Sequence, residues 1–184
     1  MAGLAGLMLL WWRRAKNAPL RGLGLGTEGL GADLLTFAVA VAAMAGVYAL
    51  VIGAYYVGVG WFEDDRDRAL QRVLWRAVFR DMSVANIVAV CVLYPILEEF
   101  WYRAVMYPAL RRDFGRWYAL VISAVVFALV HNVAWPINQF LGGLVFGYIY
   151  ERRRGLLAPV LLHMVGNGAL VALGWALMRW WPQT

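Results

Sequence analysis

This chain is short of the residues a water-soluble domain relies on: of 184 positions only 15% are charged, two are histidine and one is cysteine. A single thiol, Cys91, excludes an internal disulfide, and it reads as a small apolar packing residue. With 63% hydrophobic residues, ten Trp and a mean hydropathy of +0.63, a soluble core of this size could not bury the apolar surface. A bilayer takes it readily, at about 20 apolar residues per helical span. The net charge of +6 does not indicate nucleic acid, because the basic residues fall in short clusters between apolar runs. That is the pattern of topology signals and headgroup contacts. The length fits one domain, and no internal repeat stands out.

The apolar runs predict an all-α, polytopic transmembrane helical bundle of about five spanning helices plus interfacial amphipathic helices. Residues 1–12 are apolar but too short to span, and their charges follow the run, unlike a signal peptide. They read as an interfacial helix. The Gly-rich stretch 22–31 lacks the strand and the Lys-Ser/Thr ending of a phosphate loop and reads as a linker. A first span is expected at 34–61. Arg68, Arg72, Arg76 and Arg80 then recur every four residues opposite Leu70, Val73, Leu74 and Ala77, predicting an amphipathic helix over 63–81 at the headgroup level. The core, 82–184, holds four further spans at about 82–107, 117–133, 136–150 and 156–181. An N-inside arrangement puts ten basic residues in the cytoplasm and six outside, so the positive-inside rule favours it.

Against this apolar ground the polar residues are few. Glu98 and Glu99 sit near the end of the second span, His131 ends the third, and His163 and Asn167 lie in the fifth. A carboxylate at membrane depth faces a wet cavity or a partner and marks a functional site by default. Residues four apart share a helix face, so Glu99 and Arg103 form a pair, and Glu98 points elsewhere without an intrahelical counter-charge. That division suits Glu98 as a general base. Both glutamates could instead mark a helix end and snorkel to water. Pro95 should bend this helix, and Gly142, Gly143 and Gly147 would let the fourth span pack closely. With straight helices His131 falls about 15 Å from the level of Glu98 and His163, a gap that tilt, a shifted boundary or an irregular buried stretch at 132–139 must close.

In order along the chain these residues read E-E-x-x-x-R (Glu98, Glu99, Arg103), F-x-x-x-H (Phe127, His131) and H-x-x-x-N (His163, Asn167). The set resembles the CPBP family of intramembrane proteases, also called the CAAX protease and bacteriocin-processing (Abi) family, over roughly residues 82–175. The resemblance implies a membrane endopeptidase of the glutamic type, with Glu98 and His131 activating a water and His163 and Asn167 stabilising the oxyanion. It implies a membrane-associated protein or peptide as substrate, as in peptide maturation or removal of a C-terminal sorting segment, and a prokaryotic cell membrane as location. The residues themselves allow the same chemistry, since peptide hydrolysis needs a base, an aligned water and donors facing the oxyanion. They also leave alternatives open. Glu98, His131 and His163 could be three ligands of a catalytic zinc, although no H-E-x-x-H motif is present. A non-catalytic scaffold or immunity protein, or a proton-coupled transporter, could use the same groups, although the absence of an inverted repeat argues against transport.

Overall fold

The computed structural model describes residues 29–59, 83–131 and 136–180. The expected interfacial helix at 1–12, most of the Gly-rich linker, the arginine-striped helix at 63–81 and residues 132–135 of the irregular stretch lie outside them. All regular structure among the described residues is helical: α1 (Leu30–Val59), α2 (Val84–Val130), α3 (Ile137–Arg153) and α4 (Leu157–Trp180). α1 begins four residues earlier than the apolar run suggests, with Gly29 in a left-handed turn whose carbonyl accepts from the Asp33 N–H at 2.9 Å.

Among the described residues three stretches are long and apolar enough to cross a bilayer, Leu30–Val47, Val84–Val130 and Leu157–Ala176. Large apolar side chains such as Leu35, Leu50, Leu97, Leu129 and Leu173 face outward. A helix apolar on all sides is stable in lipid and not in water. The protein is therefore a membrane protein. α3, with 17 residues, is about 25 Å long and falls short of a full crossing by itself. Two of the five expected spans, 82–107 and 117–133, lie within the single stretch of α2, and the one expected at 136–150 is α3.

α2 starts at Ser83, whose hydroxyl accepts from the Asn86 N–H at 3.2 Å as an N-cap. Two segments of α2, Ala89–Leu93 and Phe100–Met106, are widened to π-helix, with the Tyr94 N–H reaching Ala89 and the Tyr107 N–H reaching Tyr102. Each sits just before a proline. A proline ring clashes with the carbonyl four residues back and offers no N–H. Those carbonyls belong to Cys91 and Ala104, one inside each widened segment. A local π-turn is one way to absorb that conflict without ending the helix. The bend anticipated at Pro95 is realised in this form.

Gly115 interrupts α2 with φ 79° and ψ 175°. Glu98 lies 17 residues before it and His131 16 residues after it. A straight helix would separate those two by about 50 Å, yet their side chains approach to 3.7 Å. The chain therefore reverses at Gly115, and two limbs of nearly equal length return to the same level. That resolves the 15 Å mismatch. Helix persists to Phe114 instead of ending at Tyr107, so Glu98 lies farther from the turn than a loop at 108–116 would put it. A Cβ at Gly115 would meet nothing within 4 Å, but that backbone region is essentially closed to other residues. Gly115→Ala is expected to destabilise by about 1–3 kcal/mol despite the open space. Gly168→Ala, also without a steric contact but on ordinary helical backbone, should be neutral or mildly stabilising. Thermal unfolding of both variants in detergent checks this; equal melting temperatures would refute the assignment of strain.

By contact the described residues form two compact units, one from the described parts of 29–37 and 95–163, the other from 38–94 and 164–180. In the first, the second limb of α2 packs on α3. A Cβ at Gly143 would lie 3.0 Å from the Ala124 backbone, and one at Gly147 3.1 Å from Leu120, so these glycines permit the close approach, as small residues do in membranes. Gly142 instead faces only Phe146 of its own helix. Tyr107, Ala119, Leu120, Tyr150 and Leu156 form the core below.

At the end near Gly115 the helices are tied by ion pairs that the sequence did not announce. Glu151 accepts from the Tyr107 hydroxyl at 2.8 Å, from Arg111 Nε at 2.9 Å on Oε2 and 3.1 Å on Oε1, and from Arg154 at 3.1 Å. Arg153 donates to Asp33 at 2.6 Å and to the Gly29 carbonyl at 3.1 Å, fastening the start of α1 to the end of α3. Burial works to raise the Glu151 carboxyl, but hydrogen bonds from Arg111 and Tyr107, with the charge of Arg154, outweigh it and hold the group below the usual carboxylate range. A carboxyl lowered on folding contributes stability above its unfolded value, about 4.3, and that stability is lost as pH falls through the folded value. Glu151→Gln should accordingly lower the melting temperature at neutral pH and reduce its further decline between pH 5 and 3. An unchanged acid decline would show that Glu151 carries none of it.

Candidate active site

Glu98, His131 and His163 meet inside the first unit. Glu98 Oε2 lies 3.7 Å from His131 Nε2 and 3.6 Å from His163 Nε2. The three groups come from different segments: Glu98 from between the two widened turns of α2, His131 from the residue that closes α2, His163 from the second turn of α4. Glu98 and His131 keep 29% and 25% of their side-chain surface, whereas His163 keeps 6%. The pair that would handle water is thus accessible, and the third group is walled in.

Both imidazoles are held by the nitrogen that faces away from Glu98. His131 Nδ1 is 2.6 Å from the Phe127 carbonyl. A carbonyl only accepts, so that nitrogen carries the proton, and a neutral His131 presents the Nε2 lone pair toward Glu98. His163 Nδ1 is 3.0 Å from Glu99 Oε1. Its ring stacks on Phe146 at 4.8 Å and meets the Phe127 edge-on at 5.7 Å. Phe127 also packs on His131 at 4.5 Å and on Tyr102 at 5.0 Å, so the F-x-x-x-H pair shares one wall.

Glu99 and Arg103, both fully buried, support this arrangement. Their charges touch at 3.1 Å between Nε and Oε2, a contact off the hydrogen-bonding direction, and Arg103 Nη2 donates to the Gly143 carbonyl at 3.1 Å. The guanidinium lies over the rings of Phe127, Tyr102 and Phe146 at 5.3 to 5.9 Å, where ring faces replace part of the lost hydration. Glu99 therefore faces two cation-forming groups, Arg103 and His163; pairing at spacing four disclosed only the first. Sequence reasoning also missed Phe146 and Tyr102. The available signal was the stripe Gly143, Phe146, Gly147 and Tyr150 on α3, which sets aromatic rings among the small residues of a packing face.

Asn167, one turn beyond His163 in sequence, belongs to the second unit. Its amide nitrogen donates to the Val90 carbonyl at 2.8 Å. In the widened segment that carbonyl would look five residues on for a donor, to Pro95, which has no N–H. Asn167 satisfies the acceptor that proline leaves open and keeps a second amide hydrogen. Cys91, in the same segment, is a half-buried free thiol.

As to metal, no three His, Cys, Asp or Glu side chains among the described residues are arranged to hold an ion as they stand. Glu98, His131 and His163 would have to close on it.

A membrane-embedded helical core carrying a Glu-His-His cluster is the class this site defines. Residues 80–169 match the family described as type II CAAX prenyl endopeptidase Rce1-like. Through that segment the chain belongs to the Rce1-like family of CAAX proteases. It is 30% identical over 121 residues to the putative membrane peptidase YdiL of Bacillus subtilis, covering 65% of this chain and 47% of that protein. It is 32% identical over 89 residues to the membrane-embedded CAAX protease MroQ of Staphylococcus aureus, covering 45% and 36%. The UPF0177 protein YaiF of Lactococcus lactis is 38% identical over 85 residues, covering 45% and 38%. The chain spans less than half the length of these curated relatives. No solved structure matches it.

Proposed function

We propose that this chain is a multi-pass endopeptidase of a prokaryotic cell membrane that cleaves a membrane-associated protein or peptide with a water activated by Glu98 and His131. One observation carries the reading: a single Glu98 oxygen faces two imidazole Nε2 atoms, while both Nδ1 atoms are engaged elsewhere. Family membership supports peptide hydrolysis; the glutamic type and the substrate class are our inference.

In this mechanism the water donates one hydrogen to Glu98 and one to His131 Nε2, which turns its lone pair toward the scissile carbonyl. Glu98 takes the proton as the C–O bond forms and passes it to the leaving amine as the C–N bond breaks. His163, with Nδ1 committed to Glu99, donates to the oxyanion only when Nε2 is also protonated; Glu99 supplies the counter-charge. The H-x-x-x-N motif is our reason for giving Asn167 the role of second donor.

The test is cleavage of a membrane-anchored peptide by purified protein, with and without a zinc chelator. Activity that resists the chelator and disappears in Glu98→Gln supports the reading. Activity lost to the chelator and restored by zinc replaces the water mechanism by a metal one. Glu98-dependent proton flux without cleavage would replace the enzyme by a transporter.

A further inference from the structure

Six arginines gather where α2 turns at Gly115 and α3 ends, and four of them have a carboxylate. Arg111 and Arg154 bind Glu151, Arg153 binds Asp33, and Arg112 binds Asp113. Arg116 and Arg152 have no ion pair among the described residues. Both guanidiniums instead approach one ring, that of Tyr148, at 5.8 and 6.0 Å, and Arg116 also lies 4.7 Å from the Trp117 ring. Arg116 Nε is buried and has no hydrogen-bond partner among the described residues. Phe114, Trp117, Tyr118 and Tyr148 are 57%, 67%, 71% and 45% exposed, the aromatic composition of a membrane boundary.

From this we infer that Arg116, Arg152 and Tyr148 form a binding site for the headgroup of an anionic phospholipid. Two like charges drawn to one ring, with no carboxylate among the described residues paired to either, repel, and a phosphodiester bridging them removes that repulsion. Guanidinium groups suit the task, because their planar donors match phosphate oxygens and stack on rings at once. The exposed rings would lie along the glycerol and upper acyl region, which a free phosphate in water does not need. The site is separate from the Glu98 cluster and does not depend on the proposed peptidase activity.

Native mass spectrometry of the full chain, taken from mixed phosphatidylglycerol and phosphatidylcholine, tests the inference. At about 1 kcal/mol per basic residue near the lipid surface, Arg116→Gln with Arg152→Gln should reduce the preference for phosphatidylglycerol about thirtyfold. Each single variant should reduce it about fivefold, and these carry the test if the double variant does not fold. Arg112→Gln, whose charge is already paired, should leave the preference unchanged. An unchanged preference in the Arg116 and Arg152 variants, or an equal loss in Arg112→Gln, overturns the site. Displacement of the lipid by inorganic phosphate at comparable concentration overturns the lipid as its ligand.

Discussion

Glu98→Gln is expected to lower kcat by about 10²–10⁴-fold, the range for loss of a positioned general base, with the melting temperature nearly unchanged. The separation of the two effects follows from the contacts. Glu98 stands 3.6 and 3.7 Å from its histidines, beyond hydrogen-bonding distance, and is about a third exposed. Gln keeps its volume and removes only the ability to take a proton. His131→Gln should fall in the same range, because in the proposed mechanism both groups act on one water. The double variant should be little worse than either alone, since residues acting as a unit are not additive. Full activity in Glu98→Gln, measured as initial cleavage rates at saturating substrate, would eliminate the proposed base.

Arg103→Leu is expected to do the reverse and damage the fold itself. It leaves Glu99 as a buried charge whose other neighbour is His163. Removing one partner of a buried pair costs about 3–5 kcal/mol, a large part of the 5–15 kcal/mol typical of a folded domain. The informative comparison is Arg103→Met combined with Glu99→Gln, which replaces the pair by neutral groups of similar size. Most of the stability should return, because buried ion pairs can be exchanged for neutral packing at little cost. Cleavage should not return, because His163 would then lack the carboxylate at Nδ1. Melting temperature and kcat measured on the same preparations check both halves. A double variant as unstable as Arg103→Leu would refute this account of the pair.

Much of this was legible in the sequence because the bilayer makes polar residues conspicuous. Glu98, Glu99, Arg103, His131 and His163 stood out for being ionisable on apolar helices, and spacing of four was enough to join Glu99 to Arg103. What resisted reading was geometry. The level of His131 relative to Glu98 depends on where the helix stops before Gly115, and hydropathy falls at Tyr107 while helix continues through the polar residues Arg111 to Asp113. The π-turns before Pro95 and Pro108 shift the helical phase by amounts that a fixed period of 3.6 cannot supply. Contacts between distant segments, such as Tyr107 with Glu151 or Asp33 with Arg153, depend on tertiary packing and leave no periodic trace. Apolar runs report composition, so they located α3 without disclosing that its 17 residues are short for a crossing.

Equal limbs on either side of Gly115 have a consequence for access. About 25 Å of helix separates that hinge from the Glu98 carboxylate, against about 30 Å for the whole hydrocarbon slab. With the hinge anchored among headgroups, Glu98 and His131 come to rest only a few ångströms short of the opposite boundary. Solvent and any substrate of the proposed peptidase should then arrive from the compartment facing away from Gly115, and an impermeant imidazole-modifying reagent should inactivate reconstituted vesicles from that side alone.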